Sequence, residues 1–129
     1  MNELARLFKA LSEETRLEIL ELIFAVGEVC VCEVEEVLGI SQSKASRHLR
    51  YLRNQEILVD RRDGLWVHYD LTEDTGAESA RILAALRDVL AARPASPAVA
   101  RLTALRAAQS AVCAVPAGEP EPADTRRRG

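Results

Sequence analysis

The stretch Ser41–Asn54, SQSKASRHLRYLRN, constrains this chain more than any other. Ser41 is a favourable helix cap, and no Gly or Pro interrupts the thirteen residues that follow. At about 100° per residue, Ala45, Leu49 and Leu52 fall in one narrow arc, with Ser43, Arg47, Arg50 and Asn54 opposite. Lys44, Arg47, Arg50 and Arg53 add four positive charges, and no acid within the segment balances them. A solvated surface helix usually interleaves Glu with Lys or Arg at i, i+4 spacing. This one has an apolar back, small polar residues near its start and uncompensated arginines in front. That form suits a DNA major groove.

The formal net charge of −3 conceals how the charge is distributed. Residues 1–40 hold nine acids against three bases, whereas residues 41–62 hold six bases against two acids. Such polarity steers one face of a molecule onto a polyanion while the rest is repelled. At 129 residues the chain makes one small domain with a tail, and a dimer would enlarge its modest core. The N-terminal MNELARLF has no apolar run of a signal peptide, and no stretch approaches the roughly 18 apolar residues of a membrane span. A cytoplasmic protein with no membrane contact is expected, its thiols kept reduced.

Taken in order, Leu4, Leu7, Phe8 and Leu11 predict a first amphipathic helix. Ser12 and Thr15 with Glu13 and Glu14 start a second, whose apolar line is Leu17, Leu20, Ile23 and Phe24 and whose stop is Gly27. A third lies within CVCEVEEVLG, with Val34, Val37 and Leu38 inward and Gly39 at its end. Gly39-Ile40-Ser41 is then the tight turn of a helix-turn-helix. After Glu56 the apolar period changes to 2. Ile57–Val59 and Leu65–Tyr69 predict a hairpin joined through Arg61-Arg62-Asp63-Gly64, and the two arginines at its tip suit backbone phosphate. A helix from Gly76 to Ala92, with Ile82, Leu83, Leu86, Val89 and Leu90 on one side, predicts a dimer seam helped by Leu4, Leu7 and Leu11. Pro94 and Pro97 break the chain. Val99, Leu102, Leu105 and Val112 can line one more short helix, and the Pro- and acid-rich residues from Pro116 predict disorder.

The expected fold is mainly α with a β-hairpin wing, a dimeric winged helix-turn-helix. Its domains are a DNA-binding and dimerisation unit over 1–93, an extension over 94–115 that carries Cys113, and a tail over 116–129. A Gly-rich phosphate loop, GxSxG, HExxH and CxxC are all missing from the sequence, so an enzyme is not expected.

Cys30-Val31-Cys32 supplies the chemistry. Thiolate is a soft ligand, and two of them select thiophilic ions: As(III), Sb(III), Cd(II), Pb(II), Zn(II) or Cu(I). Lying at a helix start, the pair is expected to have lowered pKa values. Residues i and i+2 do not face each other on a helix, so an unwound first turn is expected beside the basic helix. Cys113 is the remaining thiol. A flexible segment of about twenty residues could bring it to the pair as a third ligand.

LSEETRLEILELI, GEVCVCEVEEVLGISQSKASRHLRYL and GLWVHYDL together resemble the ArsR/SmtB family of metal-responsive repressors, over about Leu4 to Leu90. The resemblance implies a homodimer that binds a palindromic double-stranded operator and releases it when its inducer arrives. It implies that Gln42, Ser43, Ser46 and Arg47 face the groove, with His48 at their flank, while His48 can equally be a helix-packing histidine. Lys44, Arg50, Arg61 and Arg62 complete the expected DNA-binding set. The CVC pair matches the family's arsenic and antimony sensors and also its cadmium and lead sensors. As(III) or Sb(III) is therefore expected as inducer, with Cd(II) or Pb(II), or a thiol redox or persulfide signal, as alternatives. Glu35 stands where the best-known arsenic pattern has a third cysteine. Asp88-Val89-Leu90 lacks the Asp-x-His of the zinc and cobalt site, which argues against a sensor of that design.

Overall fold

The computed structural model describes residues 1–114, with side chains through Ser110. The expectations for a disordered tail over 116–129 and for the Cys113 side chain as a ligand lie outside the described residues. In chain order the elements are α1 (Asn2–Leu11), α2 (Glu14–Val26), β1 (Val29–Cys30), α3 (Val31–Leu38), α4 (Gln42–Asn54), β2 (Leu58–Asp63), β3 (Trp66–Leu71), α5 (Ala77–Ala92) and α6 (Pro97–Ala114). Helices, a helix-turn-helix, a hairpin and further helices form the expected winged fold. Among the described residues no helix is long and apolar enough to cross a membrane.

The second helix is the centre of the core. It touches α1, α4, α5, α6 and β1, so it is buried on more than the one line its period predicts. Ile19, Leu20, Leu22 and Ile23 are fully buried, while Leu17 and Phe24 are only half-buried. Its cap is Glu13, one residue later than Ser12: the Glu13 carboxylate accepts from the Arg16 amide at 3.0 Å. Ser12 instead closes α1, its hydroxyl donating to the Lys9 carbonyl at 2.9 Å.

Between α3 and α4 the chain turns at Gly39, whose φ of +66° is the left-handed conformation that glycine adopts without strain. The turn leaves Ser41 extended, and its hydroxyl caps α4 by accepting from the Lys44 amide at 3.1 Å. Ala45, Leu49 and Leu52 are wholly buried, as the spacing predicts. Burial of a leucine is worth about 1.5–3 kcal/mol, enough to hold the helix against the body.

The wing is a three-stranded antiparallel sheet in the order β1-β3-β2. Its second strand runs further than expected. Arg61 lies opposite His68 and Arg62 opposite Val67 within the ladder, and the turn itself is Gly64-Leu65. Strand β1 adds to the expected hairpin, and its two residues are too few for any period to show. It pairs Val29 with Tyr69 and Cys30 with His68.

Residues 97–114 form a longer helix than expected. Pro97 occupies its first position, and the Ser96 hydroxyl accepts from the Val99 amide at 3.3 Å. Helix α6 packs against α2 and α3, with Leu102 wholly buried. The flexible tether expected before Cys113 is thus regular helix. The alanine-rich sequence gives it too weak a stripe to be read with any definition.

Candidate functional site

The front of α4 is open. Gln42, Ser43, Arg47, Arg50 and Asn54 are exposed, Ser46 and Lys44 are half-buried, and together with Tyr51 most of them line one shallow groove. Arg53 is neutralised from outside its helix: Nη1 donates to Asp60 of β2 at 3.2 Å. The positive front therefore consists chiefly of Lys44, Arg47 and Arg50.

His48 belongs to the other side. It is 5% exposed, and its Nδ1 lies 3.4 Å from Arg16 Nη1 and 3.9 Å from the Glu13 carboxylate. A ring held behind α4 cannot reach a groove in front of it, so the resemblance-based placement of His48 at the DNA is corrected. Burial pushes its pKa down, with Arg16, Arg47 and Lys44 adding to that and Glu13 opposing it. Arg16, whose role no local spacing announces, fastens this rear face. Its Nε donates to the Ala10 carbonyl at 2.7 Å, and its guanidinium lies 4.2 Å from the centre of the Tyr51 ring. That stacking ties α2 and the end of α1 to α4.

In the wing, Arg61 and Arg62 are both exposed but differently occupied. Arg61 is ion-paired to Glu28, whose carboxylate also lies 3.8 Å from His68 Nδ1. The Arg61 hydrogen bond holds the Glu28 carboxyl below its usual range. Arg61 is thus a strand residue with an acidic partner rather than a bare charge at the hairpin tip.

Cys30 and Cys32 come together without any unwinding. Cys30 is the last residue of β1 and the N-cap of α3, with φ −107° and ψ 165°, while Cys32 is in the first helical turn. The extended cap swings its side chain over the helix start, and the two sulfurs are 2.9 Å apart. Neither is in a disulfide. The expected distortion of α3 is therefore unnecessary, since i and i+2 meet when i precedes the helix. The expected lowering of the pKa also fails at Cys30. The neighbouring Cys32 sulfur, burial and the Glu33 charge all push that thiol up.

A frame around the pair, invisible to local spacing, comes from distant residues. The Glu33 carboxylate accepts from the Cys30 amide at 3.1 Å. Arg106 of α6 grips the same carboxylate through Nε and Nη2, both at 2.9 Å, and Nη2 donates to the Glu28 carbonyl at 2.6 Å. Two soft sulfurs side by side can share one thiophilic ion and offer nothing to a hard cation. Among the described residues no group of three His, Cys, Asp or Glu completes a metal site.

Residues 13–59 match the family model described as "Bacterial regulatory protein, arsR family". The chain is 47% identical over 78 residues to the arsenical resistance operon repressor of Escherichia coli K12, covering 60% of this chain and 67% of that protein. It is 40% identical over 72 residues to the cadmium resistance regulatory protein CadC homolog of Staphylococcus aureus, covering 56% and 60%. Across the first relatives it matches, the chain spans 50 to 67% of their length. Among solved structures it is similar to the homodimeric winged helix-turn-helix DNA-binding domain Mb0332 from Mycobacterium bovis, with a TM-score of 0.56 and 31% identity. That likeness covers 68% of this chain and 78% of the other.

Proposed function

The chain belongs to the arsR family of bacterial regulatory proteins, and from that premise we propose that it is a homodimeric, cytoplasmic repressor whose inducer is taken by Cys30 and Cys32. Trivalent arsenic or antimony is the inducer, and when bound it supplies covalent bonds to sulfur that cross-link the end of β1 to the first turn of α3. The observation that carries the reading is the pair of unlinked sulfurs at 2.9 Å, at the start of the first helix of a helix-turn-helix. Cys113, the third thiol of the sequence, remains the candidate third ligand, now carried at the end of α6 rather than on a flexible tether.

On DNA, the exposed front of α4 enters the major groove of a palindromic operator, with Gln42, Ser43, Ser46 and Arg47 at base edges. Lys44, Arg50 and Arg62 neutralise phosphate. Arg61 contributes only by exchanging Glu28 for phosphate, so its contact is the weakest of the set. Two routes lead from the thiols to this surface. One is the Gly39 turn between α3 and α4. The other is the β1–β3 ladder, which holds Cys30 opposite His68 and makes the cysteine part of the wing.

The dimer seam lies on α5 and α1. Leu7 and Leu83 are used by the monomer core, but Phe8 and Val89 remain 53% and 57% exposed. Val89→Glu leaves that core intact and places a charge in the seam. Sedimentation should then show monomer where the parent is dimer, and an unaltered dimer would remove α5 from the interface.

A second reading, cadmium or lead as the inducer, is favoured by the likeness to the CadC homolog. One titration separates the two. Arsenite, antimonite, cadmium and zinc are each added to the protein on a labelled fragment of its own promoter, and release is followed by anisotropy. Arsenite and antimonite should release the DNA at the lowest concentrations. Release by cadmium alone would transfer the assignment, and release by none of them would end it.

A further inference from the structure

We propose that Arg106 is the positioning residue of the dithiol site: from α6 it fixes Glu33 and the Glu28 carbonyl, and thereby the extended backbone at Cys30 that brings the two sulfurs together. The inference rests on the reading of Cys30 and Cys32 as the inducer site and assigns the C-terminal helix a part in it.

The geometry is a chain of short contacts. An arginine fork meets a carboxylate at 2.9 Å on both prongs, the strong and directional form of the ion pair. Its Nη2 also reaches the Glu28 carbonyl, two residues before Cys30, at 2.6 Å. The carboxylate it holds caps the Cys30 amide at 3.1 Å. Both residues that flank the Cys30 backbone are thus anchored by one guanidinium from 73 or more residues away. The Glu33 side chain is only 12% exposed and Arg106 is 35% exposed, so the pair is sheltered from screening on the carboxylate side.

The far end of α3 offers an internal control. Arg101, also on α6, donates through Nε and Nη2 to the Val37 carbonyl at 3.0 and 2.7 Å. The same helix therefore grips α3 at both ends, but only the Arg106 grip borders the sulfurs. A purely structural role for α6 would make the two arginines equivalent. A positioning role makes Arg106 distinct, because losses at residues that orient metal ligands typically cost about 10–100-fold in affinity.

The test titrates full-length protein with cadmium chloride, following the ultraviolet thiolate-to-metal band, alongside thermal unfolding of the metal-free protein. Arg106→Gln should weaken cadmium binding by about 10–100-fold. Arg101→Gln should bind like the parent despite a comparable loss of helix anchoring. Arg106→Lys keeps the charge without the fork and should fall between them; it also serves if Arg106→Gln does not fold. Equal affinity in parent and Arg106→Gln would overturn the proposal, as would an equal loss in Arg101→Gln. A parent with no thiolate band at all would overturn the dithiol reading itself, and the positioning role with it.

Discussion

The recognition helix and the dithiol site lie within one helix-turn-helix, yet they are assembled in opposite ways. Helix α4 is built from its own sequence. Ser41 caps it three residues away, its rear leucines repeat at helical spacing, and its front charges are consecutive turns of the same helix. The dithiol site is built from remote parts. One sulfur stands on a two-residue strand paired with the wing, the other on α3, and the carboxylate that holds the Cys30 amide is itself held from α6. The α4 surface therefore takes its shape from local sequence, while the dithiol site depends on three elements at once. Under the proposed function, inducer binding there acts on the sheet and the helix-turn-helix together.

The comparison is broken most severely by removing what holds α4 from behind. Leu49→Ala opens a cavity in a wholly buried position and should cost about 2–5 kcal/mol of stability, measured by urea denaturation. Operator affinity should fall with it. A loss below about 1 kcal/mol would mean that α4 is not held by this stripe.

The front of the helix should respond without loss of fold. Arg47→Ala should weaken operator binding by roughly 1–3 kcal/mol if the side chain reads a base, with an unchanged unfolding midpoint. Parent-like affinity for both operator and random DNA would take Arg47 out of the interface.

The buried histidine sharpens the contrast, since it ties the rear of α4 to α2. Its pKa is depressed in the folded state, chiefly by burial. As pH falls, the unfolded chain takes up the proton first, so stability declines from about pH 6.5 downward and is fully present above it. His48→Gln should flatten that part of the stability–pH curve. A slope unaltered by the substitution would place the titrating group elsewhere.

The smallest effect belongs to the wing. Arg62→Ala should weaken operator and random DNA alike and lower the salt slope by about one. Loss confined to the operator would make Arg62 a base reader.

The difference in construction also explains what could be read in advance. Ala45, Leu49 and Leu52 announce their burial because helical period and cap lie within fourteen residues. The hairpin announces itself through Asp63-Gly64, although β2 runs on through both arginines because ladder pairing with β3 overrides local turn preference. The sequence leaves His48 between groove flank and helix packing, and what decides for packing is Arg16, thirty-two residues away. Strand β1, Glu28, Glu33 and Arg106 carry no local signal. Only the folded chain brings α6 and the wing to the CVC pair. The expected lowering of the thiol pKa failed for the same reason: the helix start was visible in the sequence, but the contact between the two sulfurs and the buried surroundings that outweigh it were not.

The most direct test of the account compares the parent with Cys30→Ser and Cys32→Ser on labelled promoter DNA under arsenite. Serine preserves size and removes the soft ligand, and neither cysteine lies on the exposed front of α4. Both variants should bind the promoter as the parent does and stay bound at arsenite concentrations that fully release the parent. Variants that release DNA at the parent's arsenite concentration would contradict the assignment of Cys30 and Cys32 as the sensing site.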